Sequence, residues 1–550
     1  MERDRLGARA RTRELLLLAL GAVVLAALMH WPLPLRLGTH VAKDLGDPLS
    51  QAWQVAWGGH ALAHQPLRLF DANQFYPYRD TLAFSDALLG YAPAGLLGSG
   101  PTAAIARYDL LYLLAYALAF AGAYLLARTL RLPPAAAVVA GAAFAFSPWR
   151  LEQAGHLHVL SSGGIPLALA LLVRGYRDRR PWAVLGGWAV ATWQLSLGWT
   201  LGLQLAYLLA ALALVFLVGG WRPPRATWWA SAAGVALFAL VGIAIGRVYL
   251  RVADMFPTAR RTPEVVAAYS GSPVEFLVAG RDSLVWSGVT APLRDDLRAV
   301  AEQALFPGVA IVVLAVVGAW RGVWPRRLRT GLAAGVLLTA ALALGYTDPD
   351  LRWLFPYGWL SALPGWEAIR TPGRLMTLTT LALALLAAAG AQRLAGGRSW
   401  VPWALTALVL VEGSAFSLGG GLSGPPAPRA PQAPAGLAAA TAPLLQLPLE
   451  PDDNRRYLLW STDRFPRMVN GRSSTIPPAF AALGSKVAGF PDAASVARLR
   501  ALGVRTVVLH RDRLAGTPWA AWRARPVTGL GISRELRDGV VLYRLPPPGR

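Results

Sequence analysis

The chain has 550 residues, of which 55% are hydrophobic and 15% charged, and its mean hydropathy is positive. Apolar stretches of bilayer-spanning length recur along it, which excludes a set of soluble domains and points to a polytopic membrane protein. The formal charge of +23 would suggest nucleic acid in a soluble protein. Here nearly all basic residues are arginines, many of them lying between apolar spans, so the positive-inside rule accounts for them and nucleic acid is set aside as a partner.

A basic start, Arg3, Arg5, Arg9, Arg11 and Arg13, precedes an apolar segment from Glu14 to Pro34. That segment reaches the roughly 20 residues a membrane helix needs. No small-x-small cleavage site follows it, so it reads as an uncleaved first span with its amino end in the cytoplasm. Just beyond comes Asp44-Leu45-Gly46-Asp47-Pro48, where Gly46 and Pro48 make a sharp turn and place two carboxylates at the membrane surface. Acidic groups so placed are costly as decoration and useful as chemistry. The stretch Asp86 to Gly100 is apolar, short and interrupted by Gly and Pro. It reads as re-entrant or interfacial, because a crossing there would put the later arginines on the wrong side.

Further spans are expected at 108–127, 135–147, 158–173, 183–197, 200–218, 227–245, 305–320, 331–345, 375–391 and 401–418. With the first, that makes about eleven, each short inner connection being rich in Arg. Residues 421–440, rich in Gly, Pro and Ala, read as a linker. Beyond it, 456–460, 504–509 and 540–543 read as strands and 494–502 as a helix closed by Gly503. The expected domains are therefore a membrane domain, 1–420, with large outer loops at 35–107 and 247–303, then the linker, then a small α/β extracytoplasmic domain at 441–550. There is no cysteine, so disulfides and thiolate metal sites are unavailable.

Under this topology four polar clusters share the outer face. The first loop carries Asp44, Asp47, His60, His64, Asp71 and Asp86. A short loop carries Glu152, His156 and His158. The third, from Arg247 to Gln303, includes Arg251, Asp254, Arg260, Arg261, Glu275 and Glu302. The fourth is Ile369-Arg370-Thr371-Pro372-Gly373-Arg374. Each has a plain structural reading: solvated loop acids, interfacial histidines, arginines snorkelling at the membrane edge. His156 and His158 are two apart, a poor helical spacing for zinc. Arg370 and Arg374 flank a rigid turn, a spacing that suits two prongs around one phosphate.

The order of these features resembles the GT-C superfamily of integral membrane glycosyltransferases. The resemblance rests on a first span followed by a long outer loop with Asp44-x-x-Asp47, on Leu125-Leu126-Ala127-Arg128, and on the Ala-rich span 136–147 ending in Ser147-Pro148. Locally, Asp47-Pro48, the run Phe70-Asp71-Ala72-Asn73-Gln74-Phe75-Tyr76-Pro77 and Gly155-His156-Leu157 are similar to an uncharacterised bacterial GT-C-like group. The resemblance covers roughly residues 14–420 and implies an α-helical polytopic fold, to which the small α/β domain read from the tail is appended. It also implies transfer, with inversion, of a hexose or pentose from a polyprenyl-phosphate donor to an envelope glycan, lipid or protein at the outer face of the bacterial inner membrane.

Such chemistry needs a carboxylate at the acceptor hydroxyl and cations at the departing phosphate. Asp47 is the expected base, with Asp44 orienting it or sharing a metal, Mg or Mn if there is one. Glu152, His156 and His158 are expected to bind acceptor or tune the base, and Arg370, Arg374 and Arg251 to hold the donor phosphate. Membrane lipids are the remaining partner. The alternatives are a transporter or flippase of a lipid-linked precursor, against which stand the lack of a repeat and of mid-span charges, and a non-catalytic scaffold of the same fold.

Overall fold

In the computed structural model the described residues are 2–415 and 427–546. The end of the last expected span, the 420 boundary and the start of the expected linker lie outside them. The chain divides into two compact units, one built from 1–36, 109–246 and 260–427, the other from 37–108, 247–259 and 428–550.

The first unit is helical. All eleven expected stretches contain helix, and six segments are long and apolar enough to cross a membrane: Arg9–Met29, Gly100–Thr129, Leu157–Arg177, Trp199–Val218, Arg225–Met255 and Pro372–Ala395. Val309–Arg321 and Val401–Glu412 are shorter apolar helices. The chain is a multi-pass membrane protein. Its centre is the helix Met376–Ala395, in which nearly every side chain is buried and against which Pro134–Ala145, Val309–Arg321 and Arg326–Ala343 pack. Small residues allow this. A Cβ on Gly318 would lie 1.9 Å from the Leu386 carbonyl oxygen, and one on Gly390 would lie 2.1 Å from that of Leu314. Lipid supplies no hydrophobic drive between helices, so such backbone approach is a main source of packing energy.

Glu412, at the end of its helix, accepts hydrogen bonds from the backbone N–H of Val309 and Ala310, each 2.8 Å, and from the Trp286 indole at 3.0 Å. A carboxylate thereby caps the positive start of the helix Val309–Arg321.

The second unit contains a four-stranded sheet: β1, Leu444–Leu447; β2, Thr506–His510; β3, Ser533–Arg537; and β4, Val540–Arg544. Their order is β1-β2-β4-β3, with β1 parallel to β2 and the other pairs antiparallel. Central β2 is buried throughout. One sheet face, with Leu445, Val507, Leu509 and Tyr543, packs on Val496 and Leu499 of the helix Ala493–Ala501. Asp492 caps that helix, its Oδ1 accepting from Ser495 N at 2.7 Å, and Gly503 follows at φ +78°.

The stretch 456–460 is helical rather than extended, forming the end of Pro451–Trp460. Pro451 in the first turn and Asp452 and Asp453 beside it are helix-start chemistry, which outweighs the strand propensity of Tyr457 to Trp460. The segment after the first span, 37–108, folds into this unit too. Its helix Asp47–His64 packs on Pro451–Trp460 and on the 3₁₀ segment Leu89–Leu96, where Gly59 and Gly95 meet so closely that neither admits a Cβ. Asn73 accepts from the Trp53 indole at 2.9 Å and donates to Ser461 Oγ at 3.1 Å and Pro466 O at 2.9 Å.

Candidate functional site

Within the helical unit, three separate pieces of chain bring polar side chains together. The first follows Ser147-Pro148: a short helix Pro148–Glu152, a 3₁₀ turn Gln153–Gly155, then His156 and the turn Leu157–Leu160. The second is Val300–Gln303, pinned where Gln303 donates to Ser270 O at 2.7 Å and accepts from Ala299 N at 2.9 Å. The third is Pro372–Leu375, leading into the central helix. A Cβ on Gly373 would stand 2.3 Å from the Glu302 carbonyl oxygen, so glycine there lets the second and third pieces touch.

Arg374 forms a two-pronged ion pair with Glu302, Nη2 to Oε1 at 2.6 Å and Nε to Oε2 at 3.2 Å. The two side chains are only 11% and 9% exposed. Burial pushes the Glu302 carboxyl up, but the charge of Arg374, then that of His156, and the Arg374 hydrogen bond outweigh it and leave the group below its ordinary range. The third guanidinium nitrogen, Nη1, lies 3.0 Å from His158 Nε2. His156 stands edge-on to His158, ring centres 5.7 Å apart, and its Nδ1 is 3.2 Å from Gln153 Oε1. Gln153 donates through Nε2 to Ala301 O.

His158 and Arg374, both expected from sequence, thus touch, and His156 adjoins them. Glu152 stands apart from this contact: its Oε1 accepts from Arg281 N at 3.0 Å. Arg370 lies over the Tyr269 ring, 5.0 Å from its centre, and makes no ion pair among the described residues. Arg261 is near it. Burial, then the Arg370 charge, press the Arg261 guanidinium pKa down, as desolvation and a like charge both disfavour a cation.

Three expected residues lie in the other unit. Asp44 closes its own turn, Oδ1 accepting from Gly46 N at 2.7 Å. Asp47 opens the helix Asp47–His64 and pairs with Arg455 Nη2 at 3.0 Å, while Arg455 also pairs with Asp452 at 2.7 Å. Arg251 makes a two-pronged pair with Asp80, at 3.0 and 3.1 Å. Among the described residues no three His, Asp or Glu side chains are grouped as a cation site. The Asp44 carboxylate is turned to Gly46 N and that of Asp47 to Arg455.

Sequence reading passed over Glu302 as a partner of Arg374, and Gln153, Asp80 and Arg455 as partners of His156, Arg251 and Asp47. Glu302 and Gln153 were visible as polar residues in the right loops; nothing local signals which side chain each meets.

No family model matches the chain, and no curated protein matches its sequence. Among solved structures, the mycobacterial arabinofuranosyltransferase AftD matches with a TM-score of 0.52 at 16% identity, over 96% of this chain and 40% of AftD. This likeness shows the fold, which is GT-C-like, and the chain spans 40% of AftD's length. The archaeal oligosaccharyltransferase AglB from Archaeoglobus fulgidus, in complex with an inhibitory peptide and a dolichol-phosphate, matches at 0.43, with 16% identity over 96% of this chain and 74% of AglB. ArnT from Cupriavidus metallidurans, bound to undecaprenyl phosphate, matches at 0.40, with 14% identity over 96% of each chain. These two likenesses are too loose to carry a comparison of residues.

Proposed function

We propose that the protein is a membrane glycosyltransferase that moves a sugar from a polyprenyl-phosphate donor to an envelope glycan, lipid or protein at the outer face of the bacterial cytoplasmic membrane. In this reading the amino terminus is cytoplasmic and the 441–550 domain extracytoplasmic. The observation that carries it, on a GT-C-like fold, is the placing of Arg370, with Arg261 close enough to feel its charge. Arg370 is stacked on Tyr269 and has no carboxylate of its own among the described residues. Neighbouring guanidinia attract an anion with several acceptor oxygens, as a phosphate has.

Arg370 then takes the donor phosphate with Arg261 beside it. Arg374, engaged by Glu302 and His158, shapes the adjoining surface, and Arg251, paired with Asp80, belongs to the acidic turn's own unit. Asp47, with Asp44 beside it, orients the acceptor hydroxyl. Direct displacement at the sugar carbon inverts its configuration.

The test uses the full chain in detergent with a panel of polyprenyl-phosphate sugars, among them arabinofuranose, the sugar in AftD's name. Arg370→Ala should raise the donor KM roughly 10-fold to 100-fold, the worth of a hydrogen bond to a charged group, and leave the acceptor KM unchanged. Asp47→Asn should lower transfer. Equal weakening of donor and acceptor by Arg370→Ala would remove the phosphate role, and full transfer by Asp47→Asn would remove that of the acid.

A further inference from the structure

The last part of the chain is strongly basic. Residues 493–546 carry ten arginines against three carboxylates, Asp512, Glu535 and Asp538. The positive-inside rule accounts for arginines in short connections between spans, whereas long domains cross largely regardless of their charge. In the orientation proposed above, topology therefore gives these arginines no reason to be there.

Part of the charge is gathered at one place. The Arg523 and Arg534 guanidinia both lie over the Trp522 ring, 5.2 and 5.7 Å from its centre. Arg534 is fixed further by its Nη1, which donates to Trp522 O at 2.9 Å and to Arg525 O at 3.1 Å. Arg500 joins them from the helix Ala493–Ala501, its Nη2 donating to Gly531 O. Arg523 and Arg534 are exposed, and none of the three forms an ion pair among the described residues.

The alternation of β3 explains why no acid answers them. Arg534 stands opposite Tyr543, on the sheet face that packs on Ala493–Ala501. Glu535 stands opposite Leu542 on the other face, where it pairs with Arg537 and Arg544. Asp492 is engaged as a helix cap. Arg525, whose charge Asp492 feels, is spent on the carbonyls of Ala488, Phe490 and Pro518.

We propose that Arg523, Arg534 and Arg500, gathered around Trp522, form a binding surface for an anionic glycan, a polymer whose sugar rings carry oxyanions. The indole ring and the backbone carbonyls hold the guanidinia in place. Less side-chain freedom is then lost when their remaining N–H groups take an oxyanion in two-pronged fashion. A bilayer fits less well. Segments that lie on lipid set Trp, Phe or Leu beside their basic residues, and among the described residues of 441–546 Leu536 is the one large apolar side chain that is exposed. The inference needs the outward orientation but not the transfer reading, because binding is read with no donor present.

The experiment titrates the full chain in detergent with polygalacturonate and, as a neutral control, dextran of similar length. Polygalacturonate should bind, more weakly as salt is raised, and dextran should not. Arg523→Gln with Arg534→Gln should weaken binding about 10-fold or more. Arg537→Gln removes the same charge from the opposite face of β3 and should change binding less than about 2-fold. Arg523 donates no hydrogen bond among the described residues, so Arg523→Gln alone leaves the fold undisturbed and should weaken binding about 3-fold or more.

A wild-type chain that ignores polygalacturonate, or an Arg523→Gln chain that binds it as the wild type does, would overturn the proposal. So would a loss in Arg537→Gln as large as in the double variant, which would mean diffuse charge rather than a site. Displacement of polygalacturonate by phosphatidylglycerol doped into the micelle, and not by phosphatidylcholine, would assign the surface to lipid headgroups instead. An Asp538→Cys chain that resists an impermeant maleimide on intact cells would overturn the proposal by placing the surface inside, whatever the outcome for glycosyl transfer.

Discussion

The Glu302–Arg374 pair is two-pronged and nearly dry, so removing one half leaves a buried charge without a partner. Glu302→Gln is expected to lose about 3–5 kcal/mol, and Glu302→Met combined with Arg374→Leu to lose much less, as is usual for buried pairs. Unfolding in detergent measures both. The carboxyl lies below its ordinary value of 4.5, so the folded state binds fewer protons than the unfolded one as acid is added. Its contribution is complete above about pH 4.5 and is lost as the pH falls through the lower folded value, a limb Glu302→Gln should remove. His510 has the same sign from a different cause. Burial pushes its pKa from 6.5 down to about 3, while Nε2 meets Gln446 Oε1 at 2.9 Å. The unfolded chain takes up that proton first, so stability falls as pH drops from about 6.5 toward 3. His510→Gln should flatten that slope. The candidate residues themselves were legible as polar groups flanking apolar spans. Their partners were not, because Glu302 and Arg374 meet across 72 residues of sequence and no local pattern encodes such a contact.

Helices were legible wherever hydrophobicity persisted for a membrane's width. The places where they cross were not, since Gly318 and Gly390 look like any other glycines until the backbones meet. Gly390→Ala should cost about 1–3 kcal/mol as an overpacked contact, while Gly331→Ala, which meets nothing within 4 Å, should leave the unfolding midpoint unchanged or raised. In the sheet, β2 and β4 were readable from their β-branched runs. β3 was missed because its sequence, Ser533 to Arg537, is largely exposed and charged. The signal there was the two-residue Asp538-Gly539 link, with Gly539 at φ +79°, a hairpin turn chemistry. The helix read as a strand at 456–460 fails for a related reason: a short apolar run does not declare its period, and the proline and two aspartates that start the helix lie just outside it.

On the scale of the whole molecule, the proposed orientation rests on the arginine bias, and the absence of cysteine makes it directly measurable. A single cysteine placed at Arg179 should resist a membrane-impermeant maleimide added to intact cells, and one at Asp538 should react. The reverse pattern would invert the orientation proposed above. What sequence did not convey was that the segment after the first span, 37–108, shares a unit with residues 428–550. Each stretch, read alone, looks like a loop or an independent domain, and only tertiary contacts such as Asn73 to Ser461 join them. That joinery has a consequence for biosynthesis. A ribosome releases residues 37–108 long before β2 and β4 exist, so the Asp47–His64 helix waits without Pro451–Trp460 to pack on while the intervening membrane segments are made. A chain that stalls at 427 would leave the early segment without its partner, open to quality-control proteases. Synthesis of residues 428–550 is therefore the step after which this unit should resist proteolysis.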